Sequence, residues 1–521
     1  MDDECFEEDN EFAFLFYNII RKKNVSHGLR FSTSARRYKQ TVDDLLSIDQ
    51  VRLFHLAEKL RGDQMYRPTN DDDLRILETL KSINLLAREV PGSAAQKLKM
   101  RNEIRSMMIS LGAPTLFVTL NPSDKDNPLV QIYADTEHDV ESILRGGELS
   151  DWERRVLASK KPVACAKFFD AVVKAFINTV LRCGKPDTGL YGKCIGYYGA
   201  VEAQGRGTLH CHMLVWLHGH PPPRALRQRL QQSAMYREKL ALWLESIMQG
   251  DFVGGQRGRQ EVKSAWSKRL EREITGGGSV HPGAVAGPSL KEMSHSEFWE
   301  EFEYHTNRLL VEYNIHEHTS TCWKYLARGE AKTPENCRMG ITGQMHEKTY
   351  FDDETMRVTV KKTHPKMTYF TPLVLFLLKC NMDIKFVGAG VDANAFMFYV
   401  TDYITKSAMA LHVGLAALAY AIKRIEADSR EGGLDSSPEG GVLRSFMIAV
   451  NSMVGHQEIS HQQVMSYLVG GGDHYTNGSF RTFNWGELLR YIQGRCDALD
   501  SPDREVSPLG EMSNVTLIEK T

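Results

Sequence analysis

The stretch Val201-Glu-Ala-Gln-Gly-Arg-Gly-Thr-Leu-His-Cys-His-Met-Leu-Val-Trp-Leu217 constrains the fold more than any other part of the chain. A short polar turn containing Gly205, Arg206 and Gly207 runs into His210, Cys211 and His212, followed by the apolar Met213–Leu217. Side chains alternate across a strand, so His210 and His212 point one way and Cys211 points the other. Two imidazoles on one face of a rigid strand make a ready pair of metal ligands. Glu202 precedes the turn, where a hairpin partner strand would bring its carboxylate against them. Cys211 then faces the core, where a thiol behaves as a small hydrophobe.

A chain of 521 residues has room for roughly two to four domains with proper cores. Lys and Arg (64) nearly cancel Asp and Glu (66), so a nucleic-acid surface would have to be local. The nine cysteines are odd in number and scattered, which points to a reducing compartment and not to a disulfide framework. The N-terminus is acidic and lacks the order of a signal peptide. No apolar run approaches the ~20 residues that span a bilayer, so no membrane partner is expected.

Composition and periodicity divide the chain. Residues 1–45 read as a basic, partly disordered arm, and 46–111 as a helical N-terminal region with Leu53, Leu56 and Leu60 at helical spacing. Residues 112–220 hold a strand, Pro114-Thr-Leu-Phe-Val-Thr-Leu-Asn-Pro122, then a helix near Phe168–Leu181, a strand candidate over Gly189–Gln204 and the His-Cys-His strand. Strand, helix, strand, strand predicts an α+β core on an antiparallel sheet. Residues 221–290 read as a helical insertion with a Gly-rich linker, and 291–345 as a helix followed by a Cys/His cluster. Residues 346–425 complete the core, 426–441 form a second linker, and 442–521 form a helical tail.

Three further constellations carry chemistry. In Phe398-Tyr-Val-Thr-Asp-Tyr-Ile-Thr-Lys-Ser407, helical spacing puts Tyr399, Tyr403 and Lys406 on one face. A tyrosine nucleophile ionises only near pH 10 and needs such a cation, or a metal on a neighbouring strand, beside it. His316, His318, Cys322 and Cys337 have donor types that suit tetrahedral Zn²⁺, as a structural site. Lys361, Lys362 and Lys366 alternate with Tyr350, Tyr369 and Phe370, the composition of a single-strand binding surface.

A Phe-x-Thr-Leu-Asn strand, a His-x-His strand and a Tyr-x-x-Lys helix in that order resemble the three-motif signature of the HUH endonucleases. Those are the rolling-circle initiators and relaxases that cut single-stranded DNA through a tyrosine. Glu202-Ala-Gln-Gly-Arg-Gly-Thr-Leu-His-Cys-His, the Pro114–Pro122 strand and Tyr-x-x-x-Tyr-Ile-Thr-Lys together look like the Rep portion of Helitron transposases. So do Asn451-Ser-Met-Val-Gly-His-Gln-Glu-Ile-Ser460 and Tyr467-Leu-Val-Gly-Gly-Gly-Asp-His-Tyr475. The resemblance covers roughly residues 50 to 490.

It implies an HUH-type core in which His210 and His212 are metal ligands, with Glu202 as third ligand and Gln204 as the alternative. Mg²⁺ or Mn²⁺ is the implied ion. Tyr403 is ranked ahead of Tyr399 as the first nucleophile, with Lys406 beside it. Asn121 and Arg206 join the three lysines as candidate DNA contacts. Thr208 stands where proline is frequent in the family, and Cys211 where a bulky apolar or small residue is. The implied partner is single-stranded DNA at transposon ends, in the nucleus. No Gly-x-x-x-x-Gly-Lys-Ser/Thr phosphate loop is present, so a helicase is expected to act in trans. The alternatives are a decayed transposon-derived DNA-binding protein and a metal-dependent hydrolase that uses water.

Overall fold

The computed structural model describes residues 11–32, 35–63, 66–86, 90–134, 139–146, 149–204, 207–255, 257–260, 262, 280–291, 293–324, 326–327, 329–388, 397, 400–401, 409–430, 438–469, 471–483 and 515–519. The chain divides into two compact units: Met1–Ile104 with Thr401–Leu468, and Arg105–Val400 with Val469–Thr521.

The first unit is helical. Helices run over Phe12–Ser32 and Ala35–Leu46, where the sequence suggests an arm. The helix Gln50–Gly62 starts where the Asp49 carboxylate accepts the Val51 N–H, as an N-cap residue should. Its Leu53, Leu56 and Leu60 lie on one side and are buried with Leu415, Leu418 and Ile422 of Leu411–Arg430 and Phe446 and Val450 of Pro438–Gly455. This apolar stripe at helical period is what holds the bundle together.

The second unit is α+β, built on a five-stranded sheet. Its strands are β1 (Leu116–Pro122), β2 (Cys194–Ala203), β3 (Leu209–Leu217), β6 (Cys380–Phe386) and β7 (His474–Thr476). Between β3 and β6 in the chain lie β4 (Tyr350–Phe351) and β5 (Val358–Thr359), which form a separate ribbon. After β7, β8 (Ser479–Phe483) pairs with β9 (Val515–Glu519). The spatial order of the large sheet is β6-β1-β3-β2-β7, and each neighbouring pair is antiparallel.

One face of the sheet is apolar. Leu116, Val118 and Leu120 of β1, Val201 of β2, Cys211, Met213 and Val215 of β3 and Met382 and Ile384 of β6 are buried in a single core. That core also takes in Phe168 and Val172 of the helix Pro162–Ala175, Leu309 and Leu310 of His295–Tyr313 and Leu375 of Pro372–Leu378. Cys211 lies in this core as the alternation requires, and burial pushes its thiol up to about 12. Gly199 is needed here: a Cβ would come within 2.9 Å of the Cys211 sulfur and 3.0 Å of the Met213 methyl.

Several elements begin or break differently from the sequence pattern. β2 starts at Cys194, not Gly189. The insertion is two helices, Pro223–Gln232 and Ala234–Ile247, parted at Ser233, whose hydroxyl caps the second. Thr371–Asn381 is a short helix that passes through Lys379 in the left-handed region (φ 47°) straight into β6.

Candidate active site

The polar face of the sheet follows from strand register. Residues directly opposite each other on antiparallel strands share a face. Glu202 pairs with His210, and Ala200 with His212. His212 in turn pairs with Thr119, and Thr119 with Asp383. The hairpin between β2 and β3 is closed by the Gln204 N–H on the Thr208 carbonyl (2.8 Å) and the Gly207 N–H on the Gln204 carbonyl (2.7 Å). Gly207 has φ 85°, a conformation that glycine adopts without strain.

Three donor groups converge on this face. His210 Nε2 lies 2.9 Å from His212 Nε2, and Glu202 Oε2 lies 3.4 Å from the first and 3.8 Å from the second. Both imidazoles are buried, and Glu202 is partly exposed. Ring nitrogens bound to one ion at about 2.1 Å and near a right angle would stand about 3.0 Å apart, so this spacing fits a shared metal. His210 Nδ1 is buried with no hydrogen-bond partner among the described residues.

His212 is held from two sides. Its Nδ1 lies 3.0 Å from Thr119 Oγ1, and its ring stacks on Phe117 with centroids 5.6 Å apart. If Nδ1 carries the proton and donates it to the threonine oxygen, the Nε2 lone pair faces Glu202 and His210. Burial first, with the His210 imidazole and Lys385, lowers the His212 pKa to about 4 against the opposing pull of Glu202. The ring is therefore neutral at physiological pH, which is the form that binds metal.

Gln204 lies beyond the end of β2 and is exposed, outside the Glu202–His210–His212 group. Asn121 is the penultimate residue of β1 and pairs with Asn381. Tyr399, Tyr403, Lys406 and Arg206 lie outside the described residues.

The second donor group is complete. His316 Nε2 stands 3.2 Å from His318 Nδ1, 3.4 Å from Cys322 Sγ and 3.6 Å from Cys337 Sγ. Ligands at about 2.1 Å (nitrogen) and 2.3 Å (sulfur) in a tetrahedron would have edges of about 3.4 to 3.8 Å. The four residues therefore fit one tetrahedral ion, and both cysteines are free and buried. The His318 ring stacks on Trp323.

The lysines are spread over the adjoining segment. Lys361 and Lys366 are exposed, while Lys362 is half-buried with its ammonium 6.0 Å over the Tyr369 ring. Burial lowers the Lys362 pKa. The Lys366 carbonyl accepts the His316 N–H at 2.7 Å, which ties this segment to the Cys/His group.

Two polar residues of the sheet face escape sequence reasoning. Asp383, 3.1 Å from Lys385, enters through β6, and His474 enters through β7. The alternation Asn381, Asp383, Lys385 was the available signal for the first. Among the described residues no helix is long and apolar enough to cross a membrane.

Residues 2–215 match the family model of the Helitron helicase-like domain at the N-terminus. The match takes in Asn121, Glu202, His210 and His212. No curated protein matches the chain.

Proposed function

From a chain whose residues 2–215 match the Helitron helicase-like domain at the N-terminus, we propose a metal-dependent single-stranded DNA endonuclease and strand transferase of a rolling-circle transposon. The observation that carries this reading is the convergence of Glu202, His210 and His212 donor atoms on the polar face of one sheet. The donor set of two imidazoles and one carboxylate leaves coordination positions open for a substrate, and it suits Mn²⁺ or Mg²⁺. An ion bound there would draw charge from the scissile phosphate.

In this reading the HUH-type chemistry belongs to the chain's own tyrosines. The Tyr403 phenol oxygen attacks the phosphorus, the bond from phosphorus to the 3′-oxygen breaks, and the 3′-oxygen leaves with a proton as a hydroxyl. The product is a 5′-phosphotyrosine, which conserves the phosphodiester energy for rejoining. Tyr399 takes the second strand end, and Lys406 balances charge on the phenolate. Thr119 and Phe117 keep His212 in register with Glu202. Asn121, Arg206, Lys361, Lys362 and Lys366 contact the DNA. His316, His318, Cys322 and Cys337 hold a structural Zn²⁺ that braces the lysine-bearing segment. The work is nuclear, with unwinding supplied by a helicase in trans.

The test is incubation with labelled single-stranded DNA and Mn²⁺, followed by denaturing electrophoresis. A protein–DNA adduct that survives denaturation is expected from the wild type and not from the Tyr403→Phe/Tyr399→Phe double variant. Cleavage without an adduct would mean a water nucleophile. Binding with neither would mean a decayed DNA-binding protein.

A further inference from the structure

The polar face of the sheet does not end at the Glu202–His210–His212 donors. β7 adds to the outer edge of β2 with His474 opposite Ala200, Tyr475 opposite Gly199 and Thr476 opposite Tyr198. Ala200 is also opposite His212 on the other side. One row therefore crosses all five strands: Asp383, Thr119, His212, Ala200, His474. Opposed residues share a face, so the His474 imidazole stands on the same side of the sheet as the donors. Two strand spacings, about 10 Å, separate its row position from that of His212. Ala200 between them contributes only a methyl group.

His474 is also fixed in orientation. Its Nδ1 lies 2.9 Å from Asp473 Oδ1, and its ring stacks on Tyr198 with centroids 5.5 Å apart and planes at 11°. The Asp473 carbonyl accepts the Val201 N–H at 2.9 Å, which locks the start of β7 to the strand that carries Glu202. Asp473 is buried, whereas the His474 side chain is 27% exposed and Glu202 28%. Both side chains are thus partly open to solvent on the sheet face they share. A ring held by a carboxylate at Nδ1 presents Nε2 as its outward edge.

We propose that His474, oriented by Asp473, is a second strand-binding point of this site. As an imidazolium that gives its Nδ1–H to Asp473, it donates Nε2–H to a backbone phosphate of the single strand, next to the phosphate that lies on the metal donors. The inference rests on the strand-cleavage reading above. An extended strand running from β3 toward β7 along this row meets the metal donors and His474 with neighbouring phosphates. The geometry thus sets the direction in which the strand crosses the sheet. Asp473 acts through His474 and is a positioning residue.

The experiment is a thermodynamic cycle between protein and DNA on the full chain. Dissociation constants are measured for an oligothymidylate of about 12 nucleotides, and for the same oligomer with neutral methylphosphonate linkages. His474→Ala weakens binding of the phosphodiester oligomer roughly tenfold, the worth of one hydrogen bond to a charged group. The same variant binds the methylphosphonate oligomer as the wild type does, because the phosphate charge that His474 meets is gone. Asp473→Asn gives a smaller loss with the same pattern, and His474→Gln recovers part of it. Mn²⁺ affinity stays at the wild-type value in all three variants, which shows that the sheet is intact. A penalty of equal size on both oligomers, or none on either, overturns the inference and gives Asp473–His474 a purely structural role. Absence of the tyrosyl adduct from the wild type overturns the cleavage reading instead, and the two failures are read in separate assays.

Discussion

Glu202 and His210 face each other across the β2–β3 hairpin, with Glu202 Oε2 3.4 Å from His210 Nε2. The pairing places a carboxylate from one strand against two imidazoles from the next, and the hairpin register alone accomplishes it. A metal site built this way should depend on Glu202 and not on Gln204, which lies past the strand end. Glu202→Ala is expected to weaken Mn²⁺ binding at least tenfold by titration calorimetry, and Gln204→Ala to leave it within about twofold. The reverse ranking would remove Glu202 from the ligand set.

The Thr119 hydroxyl, 3.0 Å from His212 Nδ1, makes a second prediction. Thr119→Val keeps the shape of the side chain and removes the oxygen, so the ring loses the partner that sets its tautomer and angle. Metal affinity should fall by roughly ten- to a hundredfold, the usual effect of removing such a support. Thermal stability should change little by comparison, because the residue stays packed. Unchanged affinity would mean that Phe117 alone orients the ring.

Much of this centre was legible in the sequence for a geometric reason. A period of two needs only local residues, so His210-Cys211-His212 announced which side chains share a face. The turn at Gly205–Gly207 announced that Glu202 would return beside them. Asp383 and His474 were hidden because their placement is set by tertiary pairing. β6 follows directly on a helix ending at Leu378, and the apolar run over Thr371–Asn381 reads equally as helix or strand. β7 is three residues long, and a strand that short carries no pattern of its own. The two-helix break at Ser233 was missed because Leu230 and Leu240 keep helical spacing across it. Tyr399, Tyr403 and Lys406 of the segment Phe398–Ser407 lie outside the described residues, so their place rests on the sequence alone.

The Cys/His group predicts a metal with its own signature. Because both thiols are buried and all four donors converge, Co²⁺ added to the metal-free chain should give the intense visible bands of tetrahedral thiolate coordination. Cys337→Ser should weaken those bands and lower the unfolding temperature, and so should prolonged chelation of the wild type. His210→Ala should leave the bands unchanged. Bands lost with His210 and kept with Cys337→Ser would assign the cobalt to the wrong site and refute the zinc reading.

Acid should destabilise the sheet-bearing unit in a defined window. His212, His220 and His305 are each lowered to about 4, and burial is the first cause in all three. His220 Nε2 and His305 Nε2 have no hydrogen-bond partner among the described residues, so nothing there compensates a charge. Unfolded imidazoles protonate near 6.5. Between about 6.5 and 4 the unfolded chain therefore binds more protons than the folded one, and stability falls as pH falls. Each group contributes a slope of about 1.4 kcal/mol per pH unit within that window. The lowered carboxyls of Asp126 and Asp251 act separately, since their contribution is lost only as pH drops below the ordinary carboxylate range. The described tryptophans (Trp152, Trp216, Trp243, Trp299 and Trp323) all belong to this unit, so their fluorescence follows its unfolding. Urea titrations in EDTA at pH 7.5, 6.5, 5.5 and 5.0 should show unfolding free energy roughly flat above 6.5 and falling below it. His220→Asn should remove about one proton from the slope. A profile that stays flat down to pH 5 would mean that these rings accept protons in the folded state.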